Sequence, residues 1–279
     1  MKKINRRSFL AAAGLTAAAL ALTACGGSAS STASSTASSA ASSEAASTSA
    51  AAGELTTVEA GKLTMATNAT FPPYEMTTDS GEFEGIDIDT AKAIADKLGL
   101  ELQIDDMDFD AALLSVQQGK ADIVMAGVTV TDERKAVMDF SDSYATGIQS
   151  IIVPEGSDIT SPDDLAGKKI GTQRGTTGYI YCSDDFGDDA VVAYDNGLTA
   201  VQALNNGQVD AVVIDNAPAQ EFVAANPGLK VLDTSYAEED YAIGMAKGSS
   251  LEAAVNAALE ELKADGTLQA IVDKYITAE

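Results

Sequence analysis

The feature that most constrains the fold is a segment that occurs twice. Residues 112–124 have the sequence ALLSVQQGKADIV, and residues 200–212 have the sequence AVQALNNGQVDAV. Each copy places apolar residues at helical spacing, then a turn with glycine, an aspartate and a short apolar run typical of a buried strand. Alternating helices and buried strands indicate α/β units with parallel strands. The repeat therefore predicts two α/β units in one chain.

Polar residues follow both predicted strands and indicate a ligand site. The first strand leads into Gly127, Thr129 and Arg134, and the second ends at Asp215. Open α/β sheets bind ligands at the carboxyl ends of their strands. Arg134 is expected in the first turn of a helix that begins at Thr131, where free N–H groups also attract anions. A cation on one wall and a carboxylate on the other would match a zwitterion.

The same residues also have ordinary structural interpretations. Arg134 could pair on the surface with an acidic neighbour: Asp132, Asp139 or Asp142. Phe71 and Phe109 could enclose the aliphatic part of a ligand, or they could be core residues.

Composition excludes several classes of function. The net charge of −25 argues against binding to nucleic acid or to anionic lipid. The sequence has no histidine and only two cysteines, Cys25 and Cys182. A histidine-dependent catalytic triad is therefore absent, and neither a metal site nor another cofactor is expected. We interpret Cys182 as a small buried residue on a helix.

The first 53 residues have the pattern of an exported lipoprotein. Residues 1–24 combine a basic start with an apolar stretch that is too short for a stable membrane span, as in a signal peptide. The sequence LTACG at 22–26 resembles a bacterial lipobox, in which Cys25 would be lipidated. Residues 25–53 are rich in serine, alanine and threonine and are expected to form a disordered tether.

An ordered series of motifs resembles the polar-amino-acid family of extracytoplasmic solute-binding proteins (family 3). The resemblance covers roughly residues 60–276. Each motif alone is weak, but their combination in this order is specific. The motifs are FPPY at 71–74, GIDID at 85–89, GKAD at 119–122, GVTVTDER at 127–134, DFSD at 139–142, GTTG at 175–178 and VID at 213–215.

The resemblance implies a two-lobed, type II periplasmic-binding-protein clamp. Each lobe would be a mostly parallel sheet flanked by helices, and the chain would cross between the lobes near 145–149 and 237–241. Lobe 1 would comprise residues 54–146 and 242–279, and lobe 2 residues 147–241. We also expect a last strand at 241–245.

The resemblance also implies a function. A monomer would capture a free amino acid and deliver it to an ABC permease and its ATPase, without catalysis. In this family the matching arginine, Arg134, holds the ligand α-carboxylate, and the matching aspartate, Asp215, holds the α-ammonium. The predicted ligand-binding set is Asn68, Phe71, Phe109, Gly127, Val128, Thr129, Arg134, Gln173, Thr176, Thr177 and Asp215.

Asn68 departs from a common pattern of the family. Relatives that bind lysine, arginine or glutamine often have an acidic residue at this position. An asparagine offers a donor and an acceptor but no charge, which favours a neutral polar ligand such as glutamine. Gln173 and Arg174 are expected near the same end of the site, with Arg174 facing solvent.

Two other functions remain open from the sequence. One is a periplasmic cyclohexadienyl dehydratase-like enzyme on the same fold, with Glu75, Glu84 or Asp215 as the general acid. The other is an amino-acid receptor lipoprotein that acts through a partner.

Overall fold

A computed structural model describes residues 55–276. The predicted signal peptide, the predicted lipidation site Cys25 and the predicted tether lie outside the described residues. Within residues 55–276, no helix combines the length and the apolar character that crossing a bilayer requires.

The described residues form fourteen strands and eight α-helices. The strands are β1 Lys62–Thr67, β2 Thr70–Phe71, β3 Glu75–Thr77, β4 Phe83–Glu84, β5 Glu101–Asp106, β6 Ile123–Val124, β7 Met138–Phe140, β8 Ala145–Pro154, β9 Ile170–Gln173, β10 Val191–Tyr194, β11 Ala211–Asp215, β12 Leu229–Val231, β13 Ala237–Tyr241 and β14 Gly244–Ala246. The helices are α1 Ile86–Leu98, α2 Phe109–Gln117, α3 Asp132–Val137, α4 Thr177–Phe186, α5 Gly197–Asn205, α6 Asn216–Ala225, α7 Glu252–Ala264 and α8 Thr267–Tyr275.

Two mixed sheets with flanking helices give a two-lobed α/β fold. The first sheet has the order β5-β1-β6-β14-β7, and the second has the order β10-β9-β11-β8-β12, with β13 also paired to β8. In the first sheet, β1 is parallel to β5 and β6, whereas β14 is antiparallel to β6 and β7. In the second, β9 is parallel to β10 and β11, whereas β8 is antiparallel to its three neighbours. The strands of the repeat, β6 and β11, each pair in parallel with one neighbour, as predicted, and antiparallel with the other. The prediction that each sheet is mostly parallel is wrong for its strand pairs, because the strands that carry the chain between the sheets enter each sheet antiparallel.

The aspartate of each repeat copy joins its strand to the neighbouring one. Asp122 accepts hydrogen bonds from the backbone N–H groups of Val58 and Thr64, both at 2.8 Å. Asp210 accepts one from the N–H of Lys169 at 2.7 Å, just before β9. In both copies the carboxylate satisfies a backbone donor on or just before the adjacent parallel strand, which explains why aspartate precedes each strand.

The chain passes between the sheets through two strands that pair with each other. It leaves the first sheet after β7, enters the second through β8, and returns from β13 to β14. Strands β8 and β13 are antiparallel, with Ala145 opposite Tyr241 and Gln149 opposite Ala237. Between these pairs lies Gly147, where a Cβ atom would clash with the Tyr241 ring. Only glycine lets this buried ring lie against the strand.

The prediction of one strand over 241–245 is wrong. Strand β13 ends at Tyr241 in the second sheet, and β14 begins at Gly244 in the first. Between them, the N–H of Ala242 donates to the Val128 carbonyl, and the N–H of Ile243 donates to the Ser141 hydroxyl. An apolar run predicts a buried strand but does not indicate that the chain changes sheets within it.

Candidate functional site

The carboxyl ends of strands from both sheets surround one cavity. Asn68 follows β1, Gly127 follows β6, Gln173 ends β9 and Asp215 ends β11. The space between them measures about 300 Å³ including its open mouth. Its lining consists of Asn68, Phe71, Glu75, Phe109, Ala126, Gly127, Thr129, Arg134, Gln173, Thr176, Thr177 and Asp215.

Arg134 is a buried cation on the cavity wall. The Thr131 side chain caps α3 by accepting a hydrogen bond from the Arg134 N–H at 3.2 Å. The guanidinium donates from Nη1 to the Thr129 carbonyl at 2.7 Å and from Nη2 to the Gly175 carbonyl at 3.1 Å. It also lies 5.4 Å from the centroid of the Phe109 ring. Arg134 is only 8% exposed, so surface pairing with an acidic neighbour is wrong.

The environment of Arg134 suits a buried anion. Burial lowers the pKa of Arg134, although an arginine remains charged in proteins. The two carbonyl contacts engage two of the five guanidinium N–H groups. A carboxylate would supply the negative charge that this desolvated cation lacks.

Asp215 is a buried anion at the end of β11. Its Oδ2 accepts a hydrogen bond from Gln149 Nε2 at 2.8 Å, and its Oδ1 accepts one from the Tyr241 hydroxyl. Burial, followed by the charge of Glu239, raises the pKa of Asp215 to about 7. Both donors are neutral, so they do not balance the negative charge of the ionised carboxylate, whereas a ligand cation could.

Glu75 is a second carboxyl group on the cavity wall. The residue is fully buried, and among the described residues no donor group forms a hydrogen bond with either of its oxygens. Its polar neighbour is the carboxyl group of Asp87, with which it can bond only if the two share a proton. Burial, followed by the charge of Asp87, raises the pKa of Glu75 well above its ordinary value. From the sequence, Glu75 is a candidate only for the general acid of the alternative enzyme.

Asp87 fixes the loop that carries Gly127. Its Oδ2 accepts hydrogen bonds from the Gly127 N–H at 3.0 Å and from the Tyr144 hydroxyl at 2.8 Å. Burial raises the pKa of Asp87 to about 6, although these bonds oppose the shift. Gly127 has φ +55°, and a Cβ atom there would come within 2.9 Å of the Phe71 Cε1 atom. Glycine therefore permits both the backbone conformation and the close approach of the Phe71 ring.

Phe71 and Phe109 are core residues that also line the cavity, so the two interpretations given from the sequence are compatible. Phe71 and Phe109 are 7% and 6% exposed, and both line the cavity. The Phe71 ring stacks on Tyr74 with centroids 5.9 Å apart, while Phe109 lies against Arg134. Each ring is thus packed in the core and presents part of its surface to the cavity.

Two amides meet across the cavity between the sheets. Gln173 Nε2 donates to Asn68 Oδ1 at 2.9 Å, and Asn68 Nδ2 donates to the Met107 carbonyl at 2.9 Å. Arg174, in contrast, is exposed and lies 3.7 Å from Asp195. The direct Asn68–Gln173 bond, with the Arg134–Gly175 bond, closes the cleft in this structure.

The structure brings together ten of the eleven predicted ligand-binding residues. The exception is Val128, which is fully buried; its side chain packs in an apolar cluster, and its carbonyl accepts a hydrogen bond from the N–H of Ala242. Thr176 and Thr177 line the cavity where α4 begins, and Thr176 caps that helix.

Four residues at or near the site were not predicted as ligand contacts: Glu75, Ala126, Gln149 and Glu239. Gln149 and Glu239 lie on the paired strands β8 and β13 and bond to residues that line the cavity. Glu75 follows directly after FPPY, and this closeness to a motif was the one available signal. Cys182 is buried on α4, as predicted.

A two-lobed α/β fold with an opposed arginine and aspartate in its cleft defines a small-molecule binding protein. The family model for bacterial extracellular solute-binding proteins, family 3, matches residues 63–278, and the chain belongs to this family.

Individual relatives agree with this assignment. A probable histidine-binding protein of Neisseria gonorrhoeae is 34% identical over 99% of this chain and 98% of its own length. The solved structure of ArtJ, an arginine-, lysine-, histidine-binding protein of Geobacillus stearothermophilus, is 35% identical with a TM-score of 0.75, covering 78% of this chain and 96% of its own. An ancestral arginine-binding protein bound to glutamine is 44% identical with a TM-score of 0.75, covering 78% and 99%. These relatives are binding proteins, and this chain is likewise not an enzyme.

Proposed function

We propose that the protein is the substrate-binding component of an ABC importer and captures one free amino acid between its lobes. The observation that carries the proposal is the pair Arg134 and Asp215, a buried cation and a buried carboxylate on one small cavity. Arg134 binds the α-carboxylate through its guanidinium fork. Asp215 binds the α-ammonium, whose charge offsets the desolvation of that carboxylate.

The ligand acts by favouring the closed form of the protein. Arg134 lies on α3, between β6 and β7 of the first sheet, and Asp215 ends β11 of the second, so a ligand that contacts both binds the closed form more tightly than the open one. This difference in affinity shifts the population toward closure. The membrane permease recognises the closed form, and Cys25 holds the protein at the membrane through its lipid. The relatives named for histidine, arginine and glutamine support a free amino acid as the ligand.

The first experiment is a thermal-shift screen of residues 54–279 against the twenty amino acids, cystine, ornithine and citrulline. A ligand that binds only the folded state raises Tm by several degrees at saturation. Arg134→Ala should lose roughly 2–5 kcal/mol of binding free energy, because the ligand carboxylate is left buried without its partner. A micromolar site would then weaken about 30-fold to several thousandfold, to a Kd between tens of micromolar and a few millimolar. No shift with any of these compounds in the unaltered protein would contradict the proposal.

Glu75 extends the proposal to the ligand side chain. Its carboxyl lies on the cavity wall, and among the described residues its polar neighbour is the Asp87 carboxyl, so a ligand side chain that carries N–H groups would add a donor. Glutamine meets this requirement with an amide and arginine meets it with a guanidinium. Asn68 favours the neutral glutamine side chain and Glu75 favours the cationic arginine side chain, so glutamine and arginine are the first compounds to test.

Glu75→Gln tests this assignment: a bound cation would favour the ionised form of Glu75 despite its raised pKa, whereas glutamine keeps the shape of the side chain but cannot ionise. A charge-assisted hydrogen bond contributes roughly 1.5–3 kcal/mol, so arginine should bind about tenfold to a hundredfold more weakly, and glutamine should be affected less. Calorimetric titration measures both affinities. The exposed Glu82→Gln is the matched control and should bind both ligands normally. Equal affinities in Glu75→Gln and the unaltered protein would assign Glu75 a purely structural role.

A further inference from the structure

Glu239 is a buried carboxylate that lies behind the cavity wall. It is 6% exposed, is located on β13 and does not line the cavity. Within residues 55–276, none of the ion pairs involves it. A buried carboxylate without a cationic partner has an unfavourable desolvation energy, which its hydrogen bonds must offset.

Three donors meet on one oxygen of this carboxylate. Glu239 Oε2 accepts from Thr129 Oγ1 at 3.1 Å, from Thr177 Oγ1 at 3.0 Å and from Gln149 Nε2 at 3.0 Å. A carboxylate only accepts hydrogen bonds, so both hydroxyl protons point toward Glu239. The two hydroxyl oxygens lie 3.4 Å apart, and neither has a proton left to donate to the other.

This arrangement determines what the two hydroxyls can offer to a ligand. Thr129 and Thr177 both line the cavity. A hydroxyl has one proton and two lone pairs. With the proton directed at Glu239, each oxygen can only accept a hydrogen bond from the cavity side. Together with the carboxylate of Asp215, the two oxygens form a group of acceptors that suits the three N–H donors of an ammonium.

We propose that Glu239 is a positioning residue that orients the Thr129 and Thr177 hydroxyls as acceptors for the ligand ammonium. The inference rests on the proposed capture of an amino acid. Thr129 follows β6 of the first sheet, Thr177 begins α4 against the second, and Glu239 lies on the strand that returns the chain between them. The complete acceptor group therefore exists only when the two sheets close on each other.

The test compares amino acids with analogues that lack the ammonium group. Two pairs of compounds are used: L-arginine with 5-guanidinopentanoate, and L-glutamine with 4-carbamoylbutanoate. The second compound of each pair is the first without its amino group. Titration calorimetry, direct or by displacement, measures the affinity of Glu239→Gln and of the unaltered protein for each compound. The amide that this variant puts in place of the carboxylate has no charge and can also donate, so the hydroxyls lose their fixed direction. We expect at least a tenfold loss of affinity for the amino acid and less than a threefold change for its analogue. A structural role would weaken both compounds equally.

The matched control is Glu238→Gln, which removes the same charge from an exposed position on the same strand and should change neither affinity. Thr129→Val gives a second measurement if Glu239→Gln does not fold: it should weaken the amino acid more than the analogue. When Glu239→Gln and Thr129→Val are combined, the loss of binding free energy for the amino acid should be smaller than the sum of the two separate losses.

The outcomes separate this inference from the proposed function. Equal weakening of the amino acid and its analogue, or no weakening in Glu239→Gln, overturns the role of Glu239 and leaves amino-acid capture intact. Failure of the unaltered protein to bind any α-amino acid overturns both.

Discussion

At the scale of single residues, the site depends on groups that are buried and held by neighbours. Arg134 and Asp215 carry the charges that a zwitterion requires, but other residues determine their environment. Gln149 donates to Asp215, and burial together with Glu239 raises the pKa of that carboxylate. Substitutions behind the cavity wall are therefore expected to change binding as much as substitutions on it.

Gly127→Ala should impair binding with little effect on the rest of the fold. The alanine would have to adopt φ +55°, which is unfavourable for a residue with a Cβ atom. Its Cβ atom would also lie only 2.9 Å from the Phe71 Cε1 atom. The conformational strain is about 1–2 kcal/mol, and the displaced ring narrows the cavity. We expect at least a tenfold weaker ligand affinity, measured by calorimetry.

The control for this substitution is Gly119→Ala. Gly119 has a similar φ of +65°, but a Cβ atom there would meet nothing within 4 Å. It should lower Tm by a comparable amount and leave affinity unchanged. Equal affinity in both variants would show that the contact with Phe71 does not matter for binding.

At the scale of elements, the short helix α3 positions the cation. Thr131→Ala removes the side chain that accepts from the Arg134 N–H, and the loss of such a cap amounts to about 1 kcal/mol. Because this cap holds the backbone of the binding residue itself, affinity should fall although Thr131 does not line the cavity. Urea unfolding and ligand titration measure the two effects.

Thr131→Ser is the matched control, because serine keeps the capping hydroxyl. Its stability and affinity should lie close to those of the unaltered protein. A loss of affinity as large as that of Thr131→Ala would indicate that the threonine methyl group, not the cap, holds α3.

Local sequence patterns predicted individual helices and strands, but they did not predict contacts between segments that are distant in the chain. The repeat predicted α2, β6, α5 and β11, since helical spacing and buried runs are local properties. The role of Glu239 depends on Thr129 and Thr177, which lie 110 and 62 residues away in the chain. In the sequence it is one acidic residue within the run EED, with no spacing that distinguishes it from an exposed one.

For the site as a whole, motifs and the family resemblance predicted which residues take part but not which of them are buried away from the cavity. Arg134, Asp215 and Phe71 belong to motifs with a fixed order, and the family resemblance also implied a ligand contact at Phe109. Val128 belongs to such a motif too, but strand geometry turns its side chain into the core. Glu75 directly follows the FPPY motif, but no local pattern indicates that a glutamate there is fully buried.

At the scale of the whole molecule, buried carboxyl groups make the stability of the ligand-free protein depend on pH. The folded-state pKa is about 7 for Asp215 and about 6 for Asp87, against ordinary values of 3.8. The folded state therefore binds extra protons between about pH 4 and pH 7, and its stability falls as pH rises through that range. Ligand-free protein should melt at a higher temperature at pH 5 than at pH 8.

Ligand binding should show the opposite trend, because the ammonium requires an ionised Asp215. Affinity should fall by up to about tenfold per pH unit below pH 7. Asp215→Asn should bind weakly and should reduce the difference in melting temperature between pH 5 and pH 8. The exposed Asp184→Asn removes one negative charge elsewhere and should keep both trends. The same pH dependence in Asp215→Asn as in the unaltered protein would assign the titration to other groups.

The pairing of β8 with β13 has a consequence for how such a protein diversifies. Ala145 and Tyr241 lie directly opposite each other, so the segment between them leaves and returns at points about 5 Å apart. Recombination could replace that whole segment with the corresponding segment of a related protein, even one of different length, without disturbing the first sheet. Arg134 would remain, while Gln173 and Asp215 would arrive with the exchanged piece. The proposed carboxylate contact and the ligand selectivity could thus be inherited from different ancestors.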